Sequence, residues 1–169
     1  ELQVPIQGWF AQDAQFEMGP VFERAQNIRG FQIASPSLIG IRCVQTAFSM
    51  IKEAGIDAIA HKAAVGTQMM IDLYDAWLAP LGFVLNTSRD PKERGGHISL
   101  VHPDAAQICV AMREISNVIP DYRTPNSIRL AISPLPTSFV EVWDGFARTR
   151  DLVASGQYKT IKEGGSRVT

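Results

Sequence analysis

The sequence predicts an α+β fold, with helices packed on one face of a mostly antiparallel sheet. Three observations carry this. Apolar residues recur at three- and four-residue steps through the first half. Short runs in the second half alternate apolar and polar residues, and helical spacing returns near the end. The resulting order is helix, helix, strand, strand, helix, strand, strand, helix, with no internal repeat and no low-complexity tract.

Residues 1 to 34 hold no sustained period. Pro5, Gly8, Gly19, Pro20 and Gly30 interrupt them, with Trp9, Phe10, Phe16, Phe22 and Phe31 between. Such a segment is expected to wrap over something else. Ser35 is placed to cap the first helix, with Pro36 at its first position. Leu38, Ile41, Val44, Phe48 and Ile51 form its apolar stripe, and Gly55 ends it. Asp57 is the expected cap of a long helix running to Leu81, with Met70, Leu73, Trp77 and Leu81 on one stripe. Pro80 and Gly82 stop it.

"GFVLNTS" reads as a strand, "RDPKERGG" as a charged turn and "HISLVH" as a second strand. A short helix follows over Asp104 to Ile115. "NVIPDYR" and "SIRLAIS" are two further strands. Thr137 or Ser138 caps the last helix, whose inner face carries Phe139, Val142, Trp143, Phe146, Arg150 and Val153. Asp144 and Arg148 make an i,i+4 pair on its outside, and Gly156 closes it.

The 169 residues are 46% hydrophobic and 20% charged, enough to bury a core. A net charge of -1 gathers neither nucleic acid nor anionic lipid. No apolar run is long enough to span a bilayer, and "ELQVPIQGWF" lacks the basic and apolar regions of a signal peptide. Cys43 and Cys109 sit among apolar neighbours in helical patterns, so both are expected to be buried free thiols, which suits a cytoplasmic protein. His61, His97 and His102 are scattered and form no metal-ligand set. Asp90 with Glu93, and Asp13 with Glu17, read as solvated charges, and "RGGH" is too short for a phosphate loop.

One residue breaks the pattern. In "SIRLAIS", alternation puts Ile128, Leu130 and Ile132 on one face and Ser127, Arg129, Ala131 and Ser133 on the other. Arg129 stands among small neighbours with no carboxylate beside it in sequence. Its planar fork of donors matches a carboxylate or phosphate. An arginine on the solvent face of a strand is the plainer alternative. Against that, Pro134 and Pro136 stiffen the exit of the strand, and "DYRTPN" constrains its entry, so the side chain stands on a braced element.

"PDYRTPNSIRLAISPLPTSFVEVWD" resembles the end of kynureninase, where an acidic-aromatic-Arg turn and an Arg-bearing strand lead into the last helix. "GWF" at Gly8 to Phe10, "GFQIASPSLIG" at Gly30 to Gly40 and "RDPKERGGHISLVHP" at Arg89 to Pro103 fall in the same order as in that family. The likeness spans Gly8 to Tyr158. It implies the small C-terminal domain of a fold type I pyridoxal-phosphate enzyme, the fold of aspartate aminotransferase, one that hydrolyses kynurenine or 3-hydroxykynurenine to anthranilate and alanine as a homodimer. By the same resemblance Arg129 clamps the substrate α-carboxylate and Trp9 lies near the cofactor phosphate, where its indole N–H is a donor. Ser35 stands where the family has an asparagine that holds substrate or cofactor across the dimer. Two further departures are Ala11-Gln12, where the family has Gly-His, and Pro134-Leu135-Pro136, where it has Pro-Leu-Tyr.

The resemblance places the Schiff-base lysine upstream of "GWF", outside this sequence. The five lysines present (Lys52, Lys62, Lys92, Lys159 and Lys162) lie on helix surfaces, in a charged turn or in the tail. No catalytic residue and no metal ligand is therefore expected on this chain. Residues 1–34 are expected to belong with a large cofactor-binding domain, 35–158 to form the small domain, and 159–169 to be a tail. The large domain would come from a homodimer or a partner chain. Two other readings stay open: a non-catalytic small-acid-binding or dimerisation module, and part of a related aminotransferase or cysteine desulfurase.

Overall fold

The alternating residues of "HISLVH" and "SIRLAIS" pair at the centre of a four-stranded antiparallel sheet. In the computed structural model, which describes residues 4–161, its strands are β1 (Val84–Leu85), β2 (His97–Val101), β3 (Asp121–Arg123) and β4 (Ser127–Ala131), in the order β1-β2-β4-β3. Every pairing is antiparallel. β2 and β4 pair over their whole length, Ile98 opposite Leu130 and Leu100 opposite Ile128. These four side chains face the core and are buried.

The helices of the core are α2 (Ile56–Leu73), α3 (Ala105–Glu114) and α4 (Phe139–Ala154). Each buries an apolar stripe, including Met70 and Ile71, Ile108 and Met112, and Val142 and Phe146. The fold class is therefore α+β, with helices covering one face of an antiparallel sheet. Its register follows from the hydrophobic pattern, because a one-residue slip would carry every apolar side chain to the opposite face.

The helix expected to reach Leu81 does so with a change of pitch. α2 ends at Leu73, a π-helical turn spans Tyr74–Leu78, and a 3-10 turn spans Ala79–Leu81. The wider turn rotates the buried stripe, so Tyr74 and Leu78 fill the core while Leu73, Trp77 and Leu81 pack at its margin. Gly82, with φ +91°, takes the left-handed conformation that ends it. On α4, Ser138 is the cap, in a reciprocal capping box with Glu141. Phe139 and Trp143 stay partly exposed; Trp143 stacks edge-on to Trp77 at 5.5 Å, and the Arg150 guanidinium lies 4.6 Å from the same ring.

Several local expectations are corrected. α1 spans Leu38–Ala54, so Pro36 lies ahead of it, and Ser37, not Ser35, receives the Gly40 N–H on its hydroxyl at 3.1 Å. Only Gly55 separates α1 from α2; its φ of +81° is left-handed, and Asp57 falls inside the first turn instead of capping it. None of the apolar side chains of α1 is buried, and Phe48 is 65% exposed. Cys43, on that helix, is exposed too; Cys109 is buried, and burial pushes its thiol up to about 12. The strand expected over "NVIPDYR" shrinks to Asp121–Arg123, since Pro120 has no N–H for a ladder.

The chain divides into two compact units, Glu1–Met50 and Ile51–Thr169. In the first, two arginines ahead of α1 bind backbone carbonyls of the irregular segment. Arg24 donates to Val4 at 3.1 Å, to Ile6 at 3.0 Å and to Gly30; Arg29 donates to Gln12 at 2.8 Å and to Asp13. A Cβ at Gly8 would overlap the backbone of Ile33, which makes glycine necessary there. In the second unit, Arg94 donates to Thr67 at 3.1 Å and Gln68 at 2.8 Å, and Arg89 forks onto Asp75, fastening the charged turn to α2 and the turn after it. Lys162 and the rest of the expected tail from 162 onward lie outside the described residues.

Ile98→Ala should lower the unfolding free energy by about 2–5 kcal/mol, as for other large-to-small core changes, and Ser138→Ala by about 1 kcal/mol through loss of the cap. Phe48→Ala should fall within about 0.5 kcal/mol of the parent, as at other exposed positions. Urea denaturation followed by circular dichroism measures all three. A loss at Phe48 as large as at Ile98 would contradict the exposure of α1.

Candidate functional site

The side of the sheet turned away from the helices is assembled by strict alternation. β4 contributes Ser127, Arg129 and Ala131; β2 contributes His97, Ser99 and Val101; β3 contributes Asp121 and Arg123. The register sets Asp121 opposite Arg129 and Arg123 opposite Ser127 on one side of β4, with Ser99 opposite Arg129 on the other. The small neighbours leave the Arg129 side chain 38% exposed.

Arg129 has a partner that sequence adjacency did not reveal. Its Nη2 forms an ion pair with Asp121 Oδ2 across the β3–β4 pair. Arg123, two residues along β3, donates to that same oxygen through Nε at 3.0 Å and Nη2 at 2.8 Å. Desolvation pushes the Asp121 carboxyl upward, but the hydrogen bonds and charge of Arg123, followed by the charge of Arg129, outweigh it and hold the group below the usual carboxylate range. Two guanidinium groups and one carboxylate leave a single positive charge. Among the described residues Arg129 has no partner besides Asp121, so its other N–H donors can receive an anion. The apolar cleft of about 120 Å³ lined by Met70, Leu130, Val142 and Phe146 does not include Arg129 in its lining.

The other expected site residues belong to the first unit. Trp9 is 47% exposed, and its indole N–H donates to the Gln15 carbonyl at 2.5 Å. Ser35 is exposed, just ahead of α1. Among the described lysines, Lys52, Lys92 and Lys159 are exposed, and the Lys62 ammonium lies 6.0 Å from the Phe139 ring centroid. None of them is fully buried. His102 is buried and accepts the Asp104 N–H at 3.0 Å on Nδ1, a bonding role within the fold, while His61 and His97 are exposed. No group of three His, Cys, Asp or Glu residues among those described is placed to hold a metal ion. No helix among them is long and apolar enough to cross a membrane.

The family profile described as kynureninase C-terminal domain matches residues 59–148, which hold the whole sheet and most of the core. This chain belongs to the kynureninase family. It is 36% identical over 156 residues to the kynureninase of Geobacillus thermodenitrificans, covering 91% of this chain and 36% of that protein. The kynureninase of Bacillus anthracis is 33% identical over 159 residues, covering 93% and 37%, and that of Shouchella clausii 34% over the same span. The chain thus contains a kynureninase C-terminal domain and spans a little over a third of the length of these relatives.

Asp121 is the site residue that reading along the sequence missed. The signal was available: Asp121 and Arg123 share a face by alternation, and a three-residue connection, Thr124 to Asn126, folds them back onto "SIR". An Asp carboxyl with a depressed folded pKa stabilises the fold above its unfolded value, and that contribution disappears as pH falls through the folded one. Carboxyl NMR should therefore show Asp121 titrating below 3.8, the ordinary value. With Arg123→Ala and Arg129→Ala combined, only desolvation remains and the midpoint should rise to or above that value. An unchanged midpoint in the double variant would contradict the pairing.

Proposed function

We propose that this chain is the C-terminal part of a kynureninase-like hydrolase that cleaves L-kynurenine or 3-hydroxykynurenine to anthranilate and L-alanine, with Arg129 gripping the substrate α-carboxylate. One observation carries the assignment of the arginine. Arg129 stands on the uncovered face of the sheet with donors to spare, in a cluster that keeps net positive charge. The two free thiols support a cytoplasmic location.

The family is generally dependent on pyridoxal phosphate. No described lysine is fully buried, and the Trp9 indole N–H donates to the Gln15 carbonyl. In this reading the imine-forming lysine lies on sequence outside these 169 residues, and Trp9 and Ser35 reach cofactor or substrate only against that large domain. Residues 1–34, with Trp9 and Phe16 (75% exposed), are its contact segment, and the unburied apolar side chains of α1 support the same arrangement. A homodimer or a partner chain would complete the site. The Asp121–Arg129 pair favours a second reading, in which the arginine only braces the β3–β4 hairpin in a non-catalytic module.

Substituting this chain for the matched region of the Geobacillus thermodenitrificans kynureninase should give an enzyme that forms anthranilate from L-kynurenine, read by fluorescence. Arg129→Gln in that chimera should lower kcat/KM by about 100-fold or more, the scale expected when a charge-assisted carboxylate contact is lost. An unchanged kcat/KM would favour the bracing role.

A further inference from the structure

A carboxylate next to an acid-binding arginine poses a problem: it competes with the ligand. Three features argue that Asp121 assists instead. First, its closest approach to Arg129 is at Nη2, and a guanidinium carries more N–H donors than one shared carboxylate oxygen can take. Second, among the described residues no other hydrogen bond or ion pair restrains the arginine. Its neighbours on the same face are Ser99 across the β2–β4 pair and Ser127 and Ala131 along β4, all too small to fix a long side chain. Third, Arg123 offsets the aspartate's charge through two hydrogen bonds to the same oxygen, at 3.0 and 2.8 Å. Asp121 is thus tied to β3 on one side and holds Arg129 on the other. A guanidinium held before the ligand arrives loses less freedom on binding.

We propose that Asp121 is a positioning residue that presents the Arg129 guanidinium to a carboxylate ligand, and that Arg123 cancels its charge so that the site stays cationic. This rests on the reading of Arg129 as the carboxylate grip. It assigns separate duties to the two neighbours: Asp121 sets geometry, and Arg123 sets charge.

The test uses the chimera described above as the parent chain, with arginine side-chain ¹⁵N NMR and L-alanine as the probe. In the parent chain, L-alanine should shift the Arg129 Nε–H resonance, and Arg129→Gln should abolish binding. Asp121→Asn keeps the shape and removes the charge. It should lower the order of the Arg129 side chain and weaken L-alanine binding by about tenfold, as expected when one charge-assisted contact is lost. Asp121→Glu should restore part of both. Arg123→Gln should weaken binding while leaving Arg129 ordered. Equal or tighter binding in Asp121→Asn would make the aspartate a competitor and overturn the proposal, as would an Arg129 side chain that stays fully ordered without it. The underlying reading fails in a different way. If L-alanine leaves Arg129 unperturbed in the parent chain, the grip itself is wrong and the positioning role falls with it.

Discussion

The antiparallel pairing of β2 with β4 is the constraint on which the rest depends. It sets Ile98 against Leu130 and Leu100 against Ile128 on the covered face, and Ser99 against Arg129 on the open one. Burial of the first set pins the register, and the register dictates the second. The charged cluster therefore needs no separate folding signal. Asp121, Arg123 and Arg129 meet because β3 continues the same alternation on the far side of β4. The core stabilises the sheet, and the sheet aims the arginine.

The covered face was legible in the sequence because both periods were clean. The order of helices and strands, the Gly82 and Gly156 stops and the inward side chains of "SIRLAIS" follow from spacing alone. What escaped has physical reasons. The π-helical turn after Leu73 shifts the buried stripe by a fraction of a turn, which no fixed 3.6-residue period anticipates. The stripe on α1 marks an amphipathic helix correctly, yet amphipathicity does not say where the covering layer comes from. Cap positions slipped by up to two residues because Ser35 and Ser37 both suit the role. The Asp121–Arg129 pair lies across two strands, so charge adjacency along either one does not display it.

The two compact units differ in what holds them. The second has a continuous core of sheet and helices. The first relies on Arg24 and Arg29 bonded to backbone carbonyls, with few buried side chains, and exposes most of its aromatic residues. Membership in the kynureninase family, over a little over a third of the relatives' length, gives this contrast a consistent setting. A domain with its own core can stand alone, whereas a segment of irregular aromatic chain is suited to lie against a surface.

The central claim is that the sheet register delivers a reachable, partly unsatisfied guanidinium at position 129. Phenylglyoxal labelling read by mass spectrometry tests it most directly, since the reagent attacks accessible guanidinium groups. The account predicts that Arg129 is labelled readily in the folded chain, while Arg24, bonded to three carbonyls, reacts slowly. An Arg129 that resists labelling, or that reacts no faster than Arg24, would contradict it.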